Sequence, residues 1–175
     1  MKKTITNNAA IVKQFLDSED LKYIFYKDPE LFWVFLPIKH EEKPLQIIVI
    51  TDTEGIMYYG FSPTSADPHN EEMKNQISQL MCRINLKHES GCFVLDFDNG
   101  NIIFQNYTDC IDVSPTVEMV RRNIDRICNR FNFYYRDICD IISSTSVSED
   151  SDENKAELSE EKTTEIRTTL FDHEE

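Results

Sequence analysis

Glycine is scarce: the 175-residue chain holds only four, at Gly55, Gly60, Gly91 and Gly100. A phosphate-cradling loop needs glycines clustered in one short run so that backbone N–H groups can close on the ligand, and these four are scattered. Neither G-x-x-x-x-G-K-[ST], G-x-G-x-x-G nor the nucleophile-elbow pattern G-x-S-x-G occurs. Histidine is also sparse; His40, His69, His88 and His173 lie in polar, turn-like surroundings and read as solvated surface positions. The cysteines (Cys82, Cys92, Cys110, Cys128 and Cys139) are odd in number and lack C-x-x-C spacing, which points to no disulfide framework and no zinc site. Most sit among apolar residues, where a free thiol acts as a small hydrophobe, and a reducing compartment is the simpler reading. Long apolar runs are missing as well. Leu31–Leu36 and Ile47–Ile50 are the longest, against the ~20 residues a membrane-spanning helix needs. Polar residues follow Met1-Lys2-Lys3-Thr4, so no secretory leader is expected and the expected location is cytoplasmic.

Basic residues are the remaining deficit. Lys and Arg number 18 against 32 Asp and Glu, for a formal charge of -14. From Ser148 onward there are 11 acids and 3 bases, which leaves an acidic excess in the rest of the chain too. Phosphate backbones and anionic membranes are therefore disfavoured as partners, and a neutral or basic protein is favoured. Two weak chemical patterns have simpler structural readings. His69-Asn70-Glu71 matches half of a zinc deaminase signature but lacks the following P-C-x-x-C, and its acid suits a helix N-terminus. Asp96 to Gly100 resembles a calcium loop, yet its glycine comes fifth and Tyr107 stands where an EF-hand needs glutamate. A Cys–His nucleophile pair, being spatial rather than sequential, stays open. The expectation is no enzyme, no catalytic residue, no cofactor and no metal.

What is present is a sizeable apolar content, 40% of residues, arranged with clear periods. Thr6 or Asn7 caps a first helix with Ala9, Val12, Phe15 and Leu16 on one face. Leu21–Tyr26, Leu31–Leu36, Leu45–Thr51 and Ile56–Phe61 read as strands separated by turn chemistry, and such closely spaced strands form an antiparallel meander. Asp67-Pro68 is expected to open a second helix whose face is Met73, Ile77, Leu80, Met81 and Ile84, with Asn85 helping to end it. Asn99-Gly100 predicts a two-residue type I′ turn that pairs Phe97 with Ile102 and Leu95 with Phe104. Ser114-Pro115 opens a long last helix that carries a broad stripe from Val117 to about Ile142. Residues 1–143 are thus read as one α+β domain: helix, antiparallel β-meander, helix, β-hairpin and long C-terminal helix. Residues 144–175 read as an acidic, Ser-rich tail too poor in apolar side chains to order itself.

Leu31–Leu36 and Ile47–Ile50 are apolar on both faces of their strands. Either the strands are covered on both sides, or the helices cover one face and a partner or second copy covers the other. Phe32, Trp33, Val34, Ile48 and Ile50 of the meander, with Tyr134 and Tyr135 of the last helix, are the candidate interface residues, and a homodimer is expected.

The element order resembles the YbjN family, whose fold is similar to that of type III secretion chaperones. The resemblance rests on Leu80-Met81-Cys82-Arg83-Ile84-Asn85, Gly91-Cys92-Phe93-Val94-Leu95-Asp96, Gly100-Asn101-Ile102-Ile103-Phe104 and the helix from Val117 to Phe133-Tyr134-Tyr135. Phe15-Leu16 and Leu21-Lys22-Tyr23 fit the opening more loosely. The resemblance implies a non-enzymatic adaptor, regulator or chaperone-like protein, often dimeric, that shields an apolar segment of a partner. The alternative is a small-molecule sensor with a pocket between sheet and helices.

Overall fold

The computed structural model describes residues 5–39 and 41–146. The tail expected after residue 144 falls almost wholly outside the described residues, as do His40 and His173. Helix α1 (Asn7–Ser18) starts where Thr6 Oγ1 accepts the Ala9 N–H. Four strands follow, β1 (Tyr23–Lys27), β2 (Glu30–Leu36), β3 (Leu45–Thr51) and β4 (Gly55–Phe61), each antiparallel to the next as the turn spacing predicts. The hairpin strands β5 (Cys92–Leu95) and β6 (Ile102–Asp109) do not form a separate unit. They extend the meander into a six-stranded antiparallel sheet of order β1-β2-β3-β4-β6-β5. The protein is α+β, with helices α1, α2 (Glu71–Leu86) and α3 (Val117–Ser146) packed on the sheet.

The three helices share one core. Val12 and Phe15 of α1, Ile77 and Met81 of α2, and Ile124 and Ile127 of α3 cluster with Phe32, Val34, Ile47, Val49 and Tyr58 of the sheet. These strand residues all point to one side, here the inner face. Helix α3 passes close over Gly60, where a Cβ atom would collide with Ile127 Cγ2 and lie 3.2 Å from Phe131 Cε2. Glycine is needed there because any side chain would push the helix off the strand. Two polar clusters tie the helices to the sheet. The Glu30 carboxylate accepts from Thr6 N–H at 2.9 Å and Thr6 Oγ1–H at 2.6 Å, tying β2 to the start of α1. Asn123 of α3 donates to Thr108 Oγ1 at 3.0 Å and accepts from Asn106 and Arg126, which docks α3 on β6.

Four expectations need correction. The hairpin register is shifted by two residues: Leu95 pairs with Ile102 and Phe93 with Phe104. The Asp96 carboxylate accepts the N–H groups of Asp98 and Asn99, and Gly100, at φ +71°, donates to the Asp96 carbonyl. This side-chain-to-backbone loop outcompetes the two-residue turn. Phe97 therefore sits in the loop, 47% exposed, while Phe93 replaces it against Phe104 with ring centroids 5.0 Å apart. Helix α2 begins at Glu71 rather than after Asp67, because Asn70 Oδ1 accepts the Met73 N–H and Asp67 is spent on a turn through His69 N–H. Asn85 does not end α2 but bonds both ways to the Phe93 backbone of β5, at 2.9 and 2.8 Å. Helix α3 starts beyond Thr116, whose Oγ1 accepts the Met119 N–H, and runs past Ile142 to Ser146. Ser144 and Thr145 hydroxyls bond back to the Ile141 carbonyl, and Thr145 is buried. The domain expected to close at residue 143 includes that turn.

An uncharged outer sheet face as the candidate interaction site

Strand register fixes what lies on the side of the sheet opposite the helix-packed face. The central outward row crosses all six strands as Ile24, Trp33, Ile48, Tyr59, Gln105 and Cys92. A second row holds Tyr26, Leu31, Ile50, Met57 and Tyr107. A third holds Phe35, Gln46, Phe61, Ile103 and Val94. None of these side chains is charged, and the next outward position of β6, Asp109 opposite Gly55, brings an acid to the edge of the set. Two amides are the only fully polar members.

This face is apart from the core. Leu31, Ile48, Ile50 and Phe61 are buried, yet none belongs to the cluster that the helices form with the inner face. They are flanked by larger outward neighbours: Trp33 stacks on Phe35 at 5.2 Å and Tyr59 donates to Met57 Sδ at 3.6 Å. Ile24, Phe35 and Tyr107 are the exposed members, at 47%, 37% and 52%. Burial raises the pKa of the Tyr59 phenol, and burial followed by the charges of Asp109 and Asp52 does the same for Tyr107. Both stay neutral near pH 7. An open depression of about 520 Å³ lies on this face beside β5, lined by Met57, Tyr59, Gly91, Cys92, Gln105, Asn106 and Tyr107.

The candidate interface residues divide accordingly. Trp33, Ile48 and Ile50 come together on the outer face. Phe32 and Val34 point the other way, are fully buried in the core, and so cannot meet a partner. Tyr134 and Tyr135 are also buried. Tyr134 packs edge-on against Phe93, and its hydroxyl meets His88 Nε2 at 2.8 Å. Tyr135 donates to Glu41 Oε2 at 2.5 Å, and burial followed by that bond raises its pKa. Sequence reasoning missed Leu31, Met57, Tyr59, Phe61 and Ile103. Alternation through the Trp33 row would have found them once the covered face was known.

The chemistry sought in the sequence resolves into structure. Glu71 pairs with Lys74 at 2.6 Å in the first turn of α2. The Asp96 oxygens are taken up by loop N–H groups and by Asn99 and Asn101. His88 is not a solvated histidine but is held between Tyr134 and Arg130. Burial pushes the Cys128 thiol up to about 11 and raises those of Cys110 and Cys139, which disfavours the reactive thiolate in each. The centre of the space between sheet and helices is filled by Tyr58, Phe93, Phe104 and Phe131, all at most 2% exposed, and an open depression of about 280 Å³ lies at its margin, lined by Phe15, Leu21, Leu36, Arg121, Ile124 and Cys128 among others.

No protein-family model matches the sequence, and no curated protein is significantly similar to it. Among solved structures, the crystal structure of YbjN from E. coli, described as a proposed transcription regulator, superposes with a TM-score of 0.50. The alignment covers 75% of this chain and 96% of YbjN, at 9% identity. The fold is YbjN-like. At that identity the likeness to YbjN extends to the fold alone. No helix among the described residues is long and apolar enough to cross a membrane.

Proposed function

We propose that the protein is a non-catalytic, protein-binding regulator or adaptor that takes an apolar segment of a partner protein on the outer face of its sheet. The observation that carries this reading is the charge-free set of outward rows centred on Trp33, Ile48 and Tyr59. Apolar surface left in water costs about 25 cal/mol per Å², and large contiguous patches mark interaction sites. The description of YbjN as a proposed transcription regulator agrees with a regulatory role. With a formal charge of -14, such regulation would act through a protein rather than by gripping nucleic acid. The free cysteines suit a reducing compartment, and the cytoplasm is the proposed site of action.

A photo-crosslinking residue at Phe35, on the outer face, tests this against one at Leu86, 89% exposed on α2. In the native cell the Phe35 probe should capture a discrete protein that the Leu86 probe does not. Ile48→Asp should abolish that capture while the far-UV spectrum is kept. Equal capture at both positions, or capture indifferent to Ile48→Asp in a folded variant, would sink the proposal.

A further inference from the structure

We propose that β6 takes up an extended segment of the partner protein as an added strand, in the gap that β5 leaves beside residues 106–109. This rests on the reading of the outer face as the interaction surface and deepens it. The segment pairs through its main chain and carries, in order, a basic residue, a small residue and a large apolar one.

Strand β6 has eight residues and β5 four. Their pairing ends at Cys92 with Gln105, and Gly91, at φ +72°, turns the chain off that line. Alternation fixes where the rest of β6 points its main chain. The Ile102 carbonyl accepts the Ser62 N–H, and the Cys110 N–H donates to the Glu54 carbonyl, at the two ends of β4. The Asn101 carbonyl instead accepts the Asp96 N–H, just past β5. Even-numbered residues of β6 therefore face β4, and Tyr107 and Asp109 turn their N–H and C=O groups to the empty side. No backbone partner meets them there among the described residues. Unpaired groups of this kind are a template for another chain.

The other edges of the sheet are guarded. On the free side of β5, Asn85 of α2 holds both the N–H and the C=O of Phe93. At the opposite edge, β1 follows Lys22 and ends in Lys27, side chains that discourage strand addition. The gap beside β6 has no lysine or arginine in its lining.

Register sets the chemistry of the occupant. An antiparallel segment continuing the line of β5 places one residue opposite Tyr107 and another, two positions earlier, opposite Asp109, both with side chains on the outer face. The first enters the depression of about 520 Å³ beside Met57, Tyr59 and Gln105, which suits a leucine-sized apolar group. The Tyr107 ring lies over Gly55, with its hydroxyl 3.4 Å from the Glu54 carbonyl oxygen, and so leaves the gap open. The second residue meets Asp109, with Asp52 and Glu54 close by: after burial, the charges of Asp109, Asp52, Cys110 and Glu54 raise the Tyr107 pKa. None of these three carboxylates has an ion-pair partner among the described residues, so a lysine or arginine is favoured. The residue between the two points inward, where Asn123 of α3 bonds Thr108, and must be small.

Amide exchange followed by NMR on the full chain, with capped synthetic peptides as probes, tests the proposal. Ser-Lys-Thr-Leu-Ser at ~1 mM, enough to populate a weak complex, should slow exchange of the Tyr107 and Asp109 amides. The Thr108 amide, which faces β4, should not change. Methylating the backbone nitrogen of the peptide leucine removes the donor to the Tyr107 carbonyl and should weaken binding about tenfold. Asp109→Lys should weaken it severalfold and turn the preference to Ser-Glu-Thr-Leu-Ser. No protection at ~1 mM, or protection indifferent to N-methylation, overturns the added strand. So do Tyr107 and Asp109 amides already protected in the free chain, since the chain or a second copy would then fill the gap. Capture at Phe35 that persists beside any of these results leaves the outer-face reading standing. Loss of that capture, with both amides still protected by the peptide, sinks the wider reading and leaves the added strand.

Discussion

Tyr134 of α3 donates its hydroxyl hydrogen to Nε2 of His88, which lies in the loop between α2 and β5, at 2.8 Å. Arg130 Nη1, 3.1 Å from the same atom, can only donate. Nε2 must therefore be an acceptor, which makes His88 a neutral imidazole protonated at Nδ1. Its pKa is lowered below the ordinary 6.5, first by burial and then by the charges of Arg130 and Lys87.

The sign of the pH effect follows. A histidine whose folded pKa is depressed contributes stability at pH values above 6.5, and that contribution is lost as pH falls through the folded pKa. Between about pH 7.5 and about pH 5.5 the melting temperature of the wild type should fall further than that of His88→Gln, which keeps an acceptor but cannot titrate. Equal slopes in the two proteins would rule out a role for this contact.

The hairpin makes a sharper distinction. Phe104 is 1% exposed against Phe93, whereas Phe97 is 47% exposed with only the Lys74 ammonium over its ring. Phe104→Ala should cost about 3–5 kcal/mol, and Phe97→Ala about 1 kcal/mol or less. Urea denaturation of the two variants checks this. Comparable losses would restore the register that Asn99-Gly100 predicts.

The contrast shows where sequence stops being informative. Period-two alternation puts Leu95, Phe97, Ile102 and Phe104 on one face, and that parity survives a two-residue shift in which Phe93 takes the place of Phe97. The register itself turned on whether Asp96 or Asn99-Gly100 controlled the loop, and pattern alone does not weigh a carboxylate against a turn preference. The start of α2 was ambiguous for the same reason, since Asp67 and Asn70 are both good caps. The candidate site was harder still. A strand such as Leu31–Leu36, apolar on both sides, does not declare which side the helices cover, and pattern alone cannot separate Phe32 and Val34 from Trp33.

Gly60 lies directly beneath Ile127 and Phe131 of α3. Gly60→Ala would drive a methyl group into Ile127 Cγ2 and should destabilise the fold by about 1–3 kcal/mol, as overpacking does. Ile127→Leu, which removes Cγ2, should recover part of that loss in the double variant. Strictly additive effects by thermal denaturation would show that the two positions do not collide.

Glu30 is 8% exposed and serves the first turn of α1 from another strand. Glu30→Ala should cost about 1–3 kcal/mol by orphaning those donors. Hydrogen exchange should show the loss concentrated in residues of α1. Uniform deprotection across the sheet would mean that the carboxylate supports something broader than the helix start.

The strand order carries a kinetic consequence. Four of the five pairings, β1 with β2, β2 with β3, β3 with β4 and β5 with β6, join strands that follow one another directly along the chain. Pairing β4 with β6 must instead bring Phe61 to Ile103 across all of α2 and β5, a loop closure whose entropic cost comes before its reward. The sheet should thus assemble from its β1–β4 end, with the β4–β6 seam as the slow step. Mutations that weaken the seam, at Tyr58 or Phe104, should retard refolding more than mutations of equal cost in β1.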